Sequence, residues 1–207
     1  MSPQSEQLQL KFHADFERMV TDHAVRQIIL HAIEVFSKKG FTGCKIKDIA
    51  ASAGFSQGYV YNYFKSKDEI FTKIVELAAR GAEQSVYYAV QMPGTPTERL
   101  TWLTEAFLSP SSLAMQHWRL ILLQTSTSEA IPEEAKQIVR EQQQKPFGHL
   151  IRLLIEGQQA GEFVEQDPMM QAITYFSFIQ GLGIAQAQTS GKLPFPTADI
   201  VLRFLKK

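Results

Sequence analysis

The 207-residue sequence predicts an all-α fold. Apolar residues recur at three- and four-residue spacing along most of its length. No stretch alternates apolar and polar residues with the period of a strand, and no segment repeats another. The boundaries are set by residue type: Ser or Asp ahead of a stripe, Pro in first turns, Gly where stripes stop.

Taken in order, residues 1–10 are polar and are expected to be mobile. Phe12, Phe16, Met19 and Val20 form a short amphipathic stripe, which either extends the first helix or packs as a separate arm. Val25, Ile28, Ile29, Ala32, Ile33 and Phe36 mark a clear helix that stops at Gly40. After a compact segment at 45–67, Ile70, Phe71, Ile74, Val75, Ala78 and Ala82 mark a long helix over 66–91, ending before Pro93-Gly94. Pro96 opens a helix with Leu100, Leu103 and Phe107 on one face, closed near Ser109-Pro110. The segment SSLAMQHWRLILLQTSTSE is apolar on several sides, as in a helix at the centre of a bundle. Pro132, Glu133 and Glu134 suit a helix start, where a missing N–H costs nothing and the dipole favours acid. Pro146 should kink or break that helix, and Phe147, Leu150, Ile151 and Leu154 continue it to Gly157 or Gly161. Asp167-Pro168 starts a helix to about Gln188, and a final helix spans Thr197 to Leu205.

The segment KIKDIAASAGFSQGYVYNYFKSK, Lys45 to Lys67, is the most informative. Ile46, Ile49, Ala50 and Ala53 give a first short helix one packing face. Gly54 stands where a left-handed residue ends a helix, and Phe55 can plug the gap that follows. Ser56 caps a second helix through Tyr63, with Val60 and Phe64 turned inward. Ser66 and Glu69 have the spacing of a capping box that starts the next helix at once. Two helices, a tight glycine turn and a polar outer face make a DNA-reading helix-turn-helix. On residues alone, a purely structural helix pair remains the alternative.

The outer face carries Gln57, Gly58, Tyr59, Tyr61, Asn62 and Tyr63. Gln and Asn donate and accept together, which suits the adenine edge; tyrosines and lysines reach phosphates. From Phe36 to Lys67, six lysines stand against Asp48 alone, a net of +5 in a chain whose overall charge is zero. Positive charge is concentrated where a polyanion would sit.

With Gly40-Phe41, Asp48-Ile49-Ala50, Ala53-Gly54-Phe55-Ser56, Gly58, Val60-Tyr61, Tyr63-Phe64, Lys67 and Ile70, this region resembles the DNA-binding domain of the TetR family of bacterial transcriptional regulators. The resemblance covers about the first third of the chain. It implies that Tyr61, Tyr63 and Lys67 contact the DNA backbone, and that Gln57, Tyr59, Asn62 and Lys47 touch bases. Ser56 and Gly58 share that face. Many members place a Thr pair before the first motif helix. Here Cys44 and Lys45 stand there, so Lys45 supplies charge without a cap and the helix start is expected to fray. The implied domains are an N-terminal arm or extension at 1–20, the helix-turn-helix domain at 21–67, and a helical ligand-binding and dimerisation domain at 68–207.

In the body, Trp102, Phe107, Met115, His117, Trp118, Leu122, Phe147, Ile151, Tyr175 and Phe178 supply large apolar surface. Ordinary core packing explains any one of them; the resemblance implies a cavity for a small inducer. His117, Gln124 and Tyr175 are its polar candidates, each also satisfiable by hydrogen bonds inside the core. Without charge clusters, such a wall favours a neutral hydrophobic ligand. Ile173, Phe176, Gln180, Gly183, Ile184 and Ala187 share a face, and Val201, Phe204 and Leu205 follow on the last helix. The resemblance implies that these two helices form a four-helix homodimer interface, which would let the protein read two half-sites.

Composition is that of a soluble protein, with 44% hydrophobic and 20% charged residues. One cysteine rules out an internal disulfide framework. There is no signal-like N-terminus and no run of about 18 apolar residues, so the expected location is the cytoplasm. The five histidines lack metal-ligand spacing. Gly181-Leu182-Gly183 is half a nucleotide fingerprint, with Gln186 at the third glycine position and no strand before it. An enzyme, a metal site and a cofactor are therefore not expected. A helical small-molecule carrier is the other rival, and it has no use for a +5 patch. The function expected is that of a ligand-responsive regulator. A dimeric repressor on a palindromic operator would be released by a small hydrophobic inducer that moves the helix at 66–91.

Overall fold

The computed structural model describes residues 2–109, 125, 128–142, 144–188, 194 and 196–207; the side chains of residues 186–188 lie outside the description. These residues form helices and no strand, with one isolated bridge between Phe163 and Lys206. No described helix is long and apolar enough to cross a membrane.

The N-terminus departs from expectation. Residues 3–10, expected to be mobile, are the first half of helix α1 (Pro3–Met19). Ser2 caps it by accepting from the Ser5 amide, with Pro3 at a first-turn position. Leu8 is completely buried, so one leucine in a polar stretch anchors the segment. The chain breaks at Val20, and α1 packs as a separate helix rather than extending the next.

Asp22 caps α2 (His23–Gly43), which kinks at Gly40, where φ is 68° and ψ is 170°. The expected stop is therefore a bend with one further turn beyond it. Helices α3 (Ile46–Ser52) and α4 (Gln57–Tyr61) follow. Between them Gly54 has φ 71°, and the Phe55 amide donates to Ala50 O at 2.9 Å while Gly54 donates to Ala51 O at 3.3 Å. This paired pattern closes the helix as a Schellman motif. α4 is shorter than the expected span to Tyr63, because Asn62 and Tyr63 turn tightly onto Tyr59 and Val60.

Helix α5 (Lys67–Gln91) is about 37 Å long. Ser66 accepts from the Glu69 amide at 3.1 Å, but Glu69 returns its bond to Lys65 N at 2.6 Å, one residue outside the expected box. α6 (Pro96–Leu108) starts with a full capping box between Thr95 and Glu98. α7 (Glu133–Gln142) and α8 (Gln144–Gln159) lie on either side of residue 143, which is outside the described residues. At the end of α8 the Phe163 ring lies where a Gly157 side chain would be, 2.1 Å from an ideal Cβ.

Helix α9 (Pro168–Gln188) begins as expected, with Asp167 Oδ1 accepting from Met169 N at 2.8 Å. The final helix is much shorter than Thr197–Leu205. α10 spans Ala198–Leu202, and the chain then turns so that Leu205 O accepts from Val164 N at 2.8 Å.

Two buried clusters organise these elements. One joins α2, α3, α4 and the first half of α5 around Phe36, Phe41 and Phe71, with Ile131 and Ala135 added. The other joins the end of α5 to α6, α8, α9 and α10, with Leu8 inserted from α1. α5 belongs to both, and α1 lies across α5 and α6.

Candidate nucleic-acid interface

The helix-turn-helix buries Val60 and Phe64 and turns Gln57, Gly58, Tyr59, Tyr61 and Asn62 outward, with Tyr63 half-buried. Ser56 Oγ accepts from Tyr59 N at 3.1 Å. The polar positions split into two groups. Phe55, Tyr59 and Tyr63 form a ladder with centroids 4.7 and 5.4 Å apart, and the two hydroxyls are 3.2 Å apart. The hydrogen bond to Tyr59 raises the Tyr63 phenol above its ordinary value, so that phenol stays protonated at neutral pH.

The second group surrounds a recess of about 350 Å³ where α3, α4 and α5 begin. Lys45, Lys47, Gln57, Tyr61 and Lys67 meet there, joined by Lys65 and Ser66. Lys65 enters the charge of the segment without a predicted place, and Ser66 is expected only as a cap. Among the described residues, no carboxylate forms an ion pair with Lys45, Lys47 or Lys65. One carboxylate, Asp68, also lines the recess; the other nearby acid, Asp48, is occupied, pairing with Lys39 at 2.9 Å and accepting from Lys45 N at 2.9 Å. The Lys39 contact, then the Lys45 amide, hold its carboxyl below the usual carboxylate range.

Two local expectations change. The start of α3 does not fray, because Asp48 closes it from inside the helix although the Lys45 side chain accepts nothing. Lys67 is not a free surface cation. Its Nζ donates to Phe41 O at 2.9 Å and Cys44 O at 3.3 Å, and lies 4.4 Å from the centre of the Phe41 ring. That leaves one of its three N–H groups for a ligand. Burial, with the nearby Asp48 charge, pushes the Cys44 thiol up to about 11, so it stays protonated at neutral pH.

The body holds a separate cavity of about 490 Å³. Phe107 and Phe147, both expected there, line it. Trp102 instead covers the turn at Gly94, its ring 2.7 Å from an ideal Cβ there. Tyr175 is buried with its hydroxyl 3.1 Å from Thr104 Oγ1, and Ile151 packs on the core of the body. Phe178 is 50% exposed and its ring lies tilted against Phe204, centroids 5.6 Å apart. Met115, His117, Trp118, Leu122 and Gln124 lie outside the described residues. The cavity also draws on residues expected elsewhere: Phe12, Phe16 and Met19 of α1, and Ile173, Phe176 and Gln180 of α9. The α1 stripe was visible in the sequence, but nothing there said what it faced.

The expected dimer face divides as well. Ile173 is 40% exposed and Gln180 is exposed, whereas Gly183, Val201 and Leu205 are buried within the subunit. Phe176 and Ile184 are half-buried, as is Phe204, and the Ala187 side chain lies outside the description. The turn after Leu202 explains the last helix, because it points Val201 and Leu205 inward. Exposed apolar side chains at Met169, Met170, Phe178 and Ile200 complete the outer surface of α9 and α10.

Residues 28–74 match the sequence profile of bacterial regulatory proteins of the tetR family. The chain is 27% identical over 165 residues to YfiR, an uncharacterised HTH-type transcriptional regulator of Bacillus subtilis, covering 75% of each. It is 38% identical over 55 residues to the HTH-type transcriptional repressor NicS of Pseudomonas putida, covering 27% of this chain and 26% of NicS. The fold matches that of the fatty acid degradation regulator FadR from Bacillus halodurans with a TM-score of 0.69, at 20% identity, over 88% of this chain and 93% of that one. Taken with the lysine-ringed helix-turn-helix, these likenesses show a DNA-binding domain of the TetR type at residues 28–74, in a chain similar over three quarters of its length to a bacterial HTH-type transcriptional regulator.

Proposed function

We propose that this regulator is a repressor that binds a palindromic operator as a homodimer and is released by a small, uncharged, apolar inducer. The observation that carries the reading is the recess where Lys45, Lys47 and Lys65 meet Gln57 and Tyr61. The cations neutralise phosphates on either side of the groove, and Gln57 and Asn62 reach base edges. The assignment of site residues and of a 21–67 DNA-binding domain follows from this.

A five-residue reading helix offers few base contacts, so two copies on one two-fold axis are needed for specificity. The exposed Ile173 and Gln180, extended by Met170 and Phe178, are the surface assigned to the partner subunit. Repression is favoured by the name of NicS. The inducer is assigned to the body cavity, whose described walls carry no charged side chain. Ligand binding there shifts α5, and through it the separation of the two heads.

Selection of bound duplexes from a random pool tests the reading. A palindrome with half-site centres about 34–36 Å apart is expected, and Gln57→Ala should relax preference at one base pair per half-site. Recovery of no motif, or of an unpaired half-site bound by a monomer, would refute it.

A further inference from the structure

Helix α1 touches both parts of the molecule. Near its start, Ser2 N, Ser2 Oγ and Ser5 Oγ donate to Glu105 Oε2 of α6 at 2.9, 2.7 and 2.7 Å. Gln9 Nε2 donates to Ala106 O at 3.2 Å, and Leu8 is buried in the core of the body. At its other end Val20 is buried in the core of the head. There Arg26 of α2 caps the last carbonyls of α1. Its Nε and Nη2 donate to Val20 O at 3.1 and 3.0 Å, Nη2 also reaches Glu17 O at 3.4 Å, and Nη1 meets Glu17 Oε1 at 3.3 Å. A planar cation with several donors suits a helix C-terminus, whose final carbonyls lack partners and carry partial negative charge.

Between these anchors, Phe12, Phe16 and Met19 line the body cavity. α5 lines the same cavity mostly with small residues, Ala78, Gly81 and Ala82 among them, beside Leu77. An added Cβ at Gly81 would meet nothing within 4 Å. Large rings on α1 and small residues on α5 thus border one space, beside the two elements that run from body to head.

We infer that α1 is a wall of the effector site and that the Arg26 clamp on its last carbonyls makes it a second strut, beside α5, through which an occupant reaches the DNA-binding head. This rests on the reading of the body cavity as the inducer site. An occupant that separates α1 from α5 pulls the head through both elements: α5, whose first half is buried in the head core, and α1, joined to α2 by the backbone at residues 20–22 and by the guanidinium clamp. The polar groups on the described wall are uncharged: Ser85, Gln142, Ser177 and Gln180. The molecule accommodated is therefore neutral and largely apolar with at most a hydrogen-bonding end, because a charge there would be desolvated without a counter-ion. A volume of about 490 Å³ lies within the range of small-molecule sites.

The test uses the full chain, the selected operator duplex and the uncharged fluorophore N-phenyl-1-naphthylamine. In the unmodified protein the fluorophore should brighten on binding and weaken operator affinity by about tenfold, within the usual range of allosteric coupling. Phe12→Ala should weaken fluorophore binding about fivefold or more, since an aromatic wall contact is lost. Arg26→Ala should bind the fluorophore within about twofold of the unmodified protein and show a single thermal transition, yet reduce the operator effect to below about threefold. Arg26→Lys, which keeps one cationic donor, should fall between; it also serves if Arg26→Ala does not fold.

An operator effect unchanged in both Arg26 variants would overturn the strut and leave the effector site standing. Unchanged fluorophore affinity in Phe12→Ala would overturn α1 as a wall. If the unmodified protein does not bind the fluorophore, or binds it without effect on DNA, the effector-site reading fails and the strut with it.

Discussion

Lys65→Ala isolates the electrostatic part of operator binding. Lys65 is exposed, lines the recess and joins no described ion pair, so its removal should leave thermal stability within about 0.5 kcal/mol. In the proposed dimer the substitution deletes two phosphate contacts. Each contributes about 0.9 to the slope of log affinity against log salt, so the slope should become shallower by about 1.8. Over a fourfold rise from about 50 to 200 mM salt, the loss relative to the unmodified protein should shrink by about twelvefold. Anisotropy titrations of a labelled operator at several salt concentrations give the slope directly. An unchanged slope would refute the placement of Lys65 against phosphate, as would a loss confined to one base-pair substitution. Lys67→Ala is the informative contrast. Its ammonium bonds Phe41 O and Cys44 O, so this variant should also destabilise the head, by about 1–2 kcal/mol after allowing for partial exposure. A reduced slope in Lys67→Ala without comparison to Lys65→Ala would therefore mix two effects.

Two further predictions concern the frame around the site. Gly157→Ala places a Cβ 2.1 Å from the Phe163 ring, which is buried and neighbours the pairing of Val164 with Leu205. Overpacking of this kind should cost about 1–3 kcal/mol in denaturant titration; an unchanged midpoint would mean the ring moves freely. Burial pushes the Glu105 carboxyl up, but bonds from Ser5 and Ser2 outweigh it and leave the group below its ordinary 4.5. A lowered folded value means the stabilisation is complete above the unfolded value and disappears as pH falls through the folded one. Protection of amides in the first turns of α1, relative to the unstructured rate at the same pH, should thus fall below about pH 4.5. Glu105→Gln should remove most of that pH dependence; the same profile in both proteins would count against the anchor.

The motif itself was legible because its determinants are local. Gly54 is required at φ 71°, Ser56 caps its own helix, and Val60 and Phe64 face inward at a spacing set by helix geometry. Long stripes were equally legible: α5 ends at Gln91, as Pro93-Gly94 implies, and α9 starts after Asp167. Side-chain partners were not. The position of Lys67 in the chain pointed to phosphate, while its reach back to Phe41 O and Cys44 O spans 26 and 23 residues. Trp102 and Tyr175 resembled cavity aromatics by type; one covers a glycine turn and the other bonds Thr104.

By itself, then, the order of residues determined an all-helical chain, its reading motif and the local excess of lysine, since propensity, capping and charge act over a few positions. The tertiary structure alone decided which lysines remain free, where α1 lies and which aromatics face the cavity. Those outcomes depend on contacts between segments far apart in the chain, and helical periodicity says that a face is buried without saying against what.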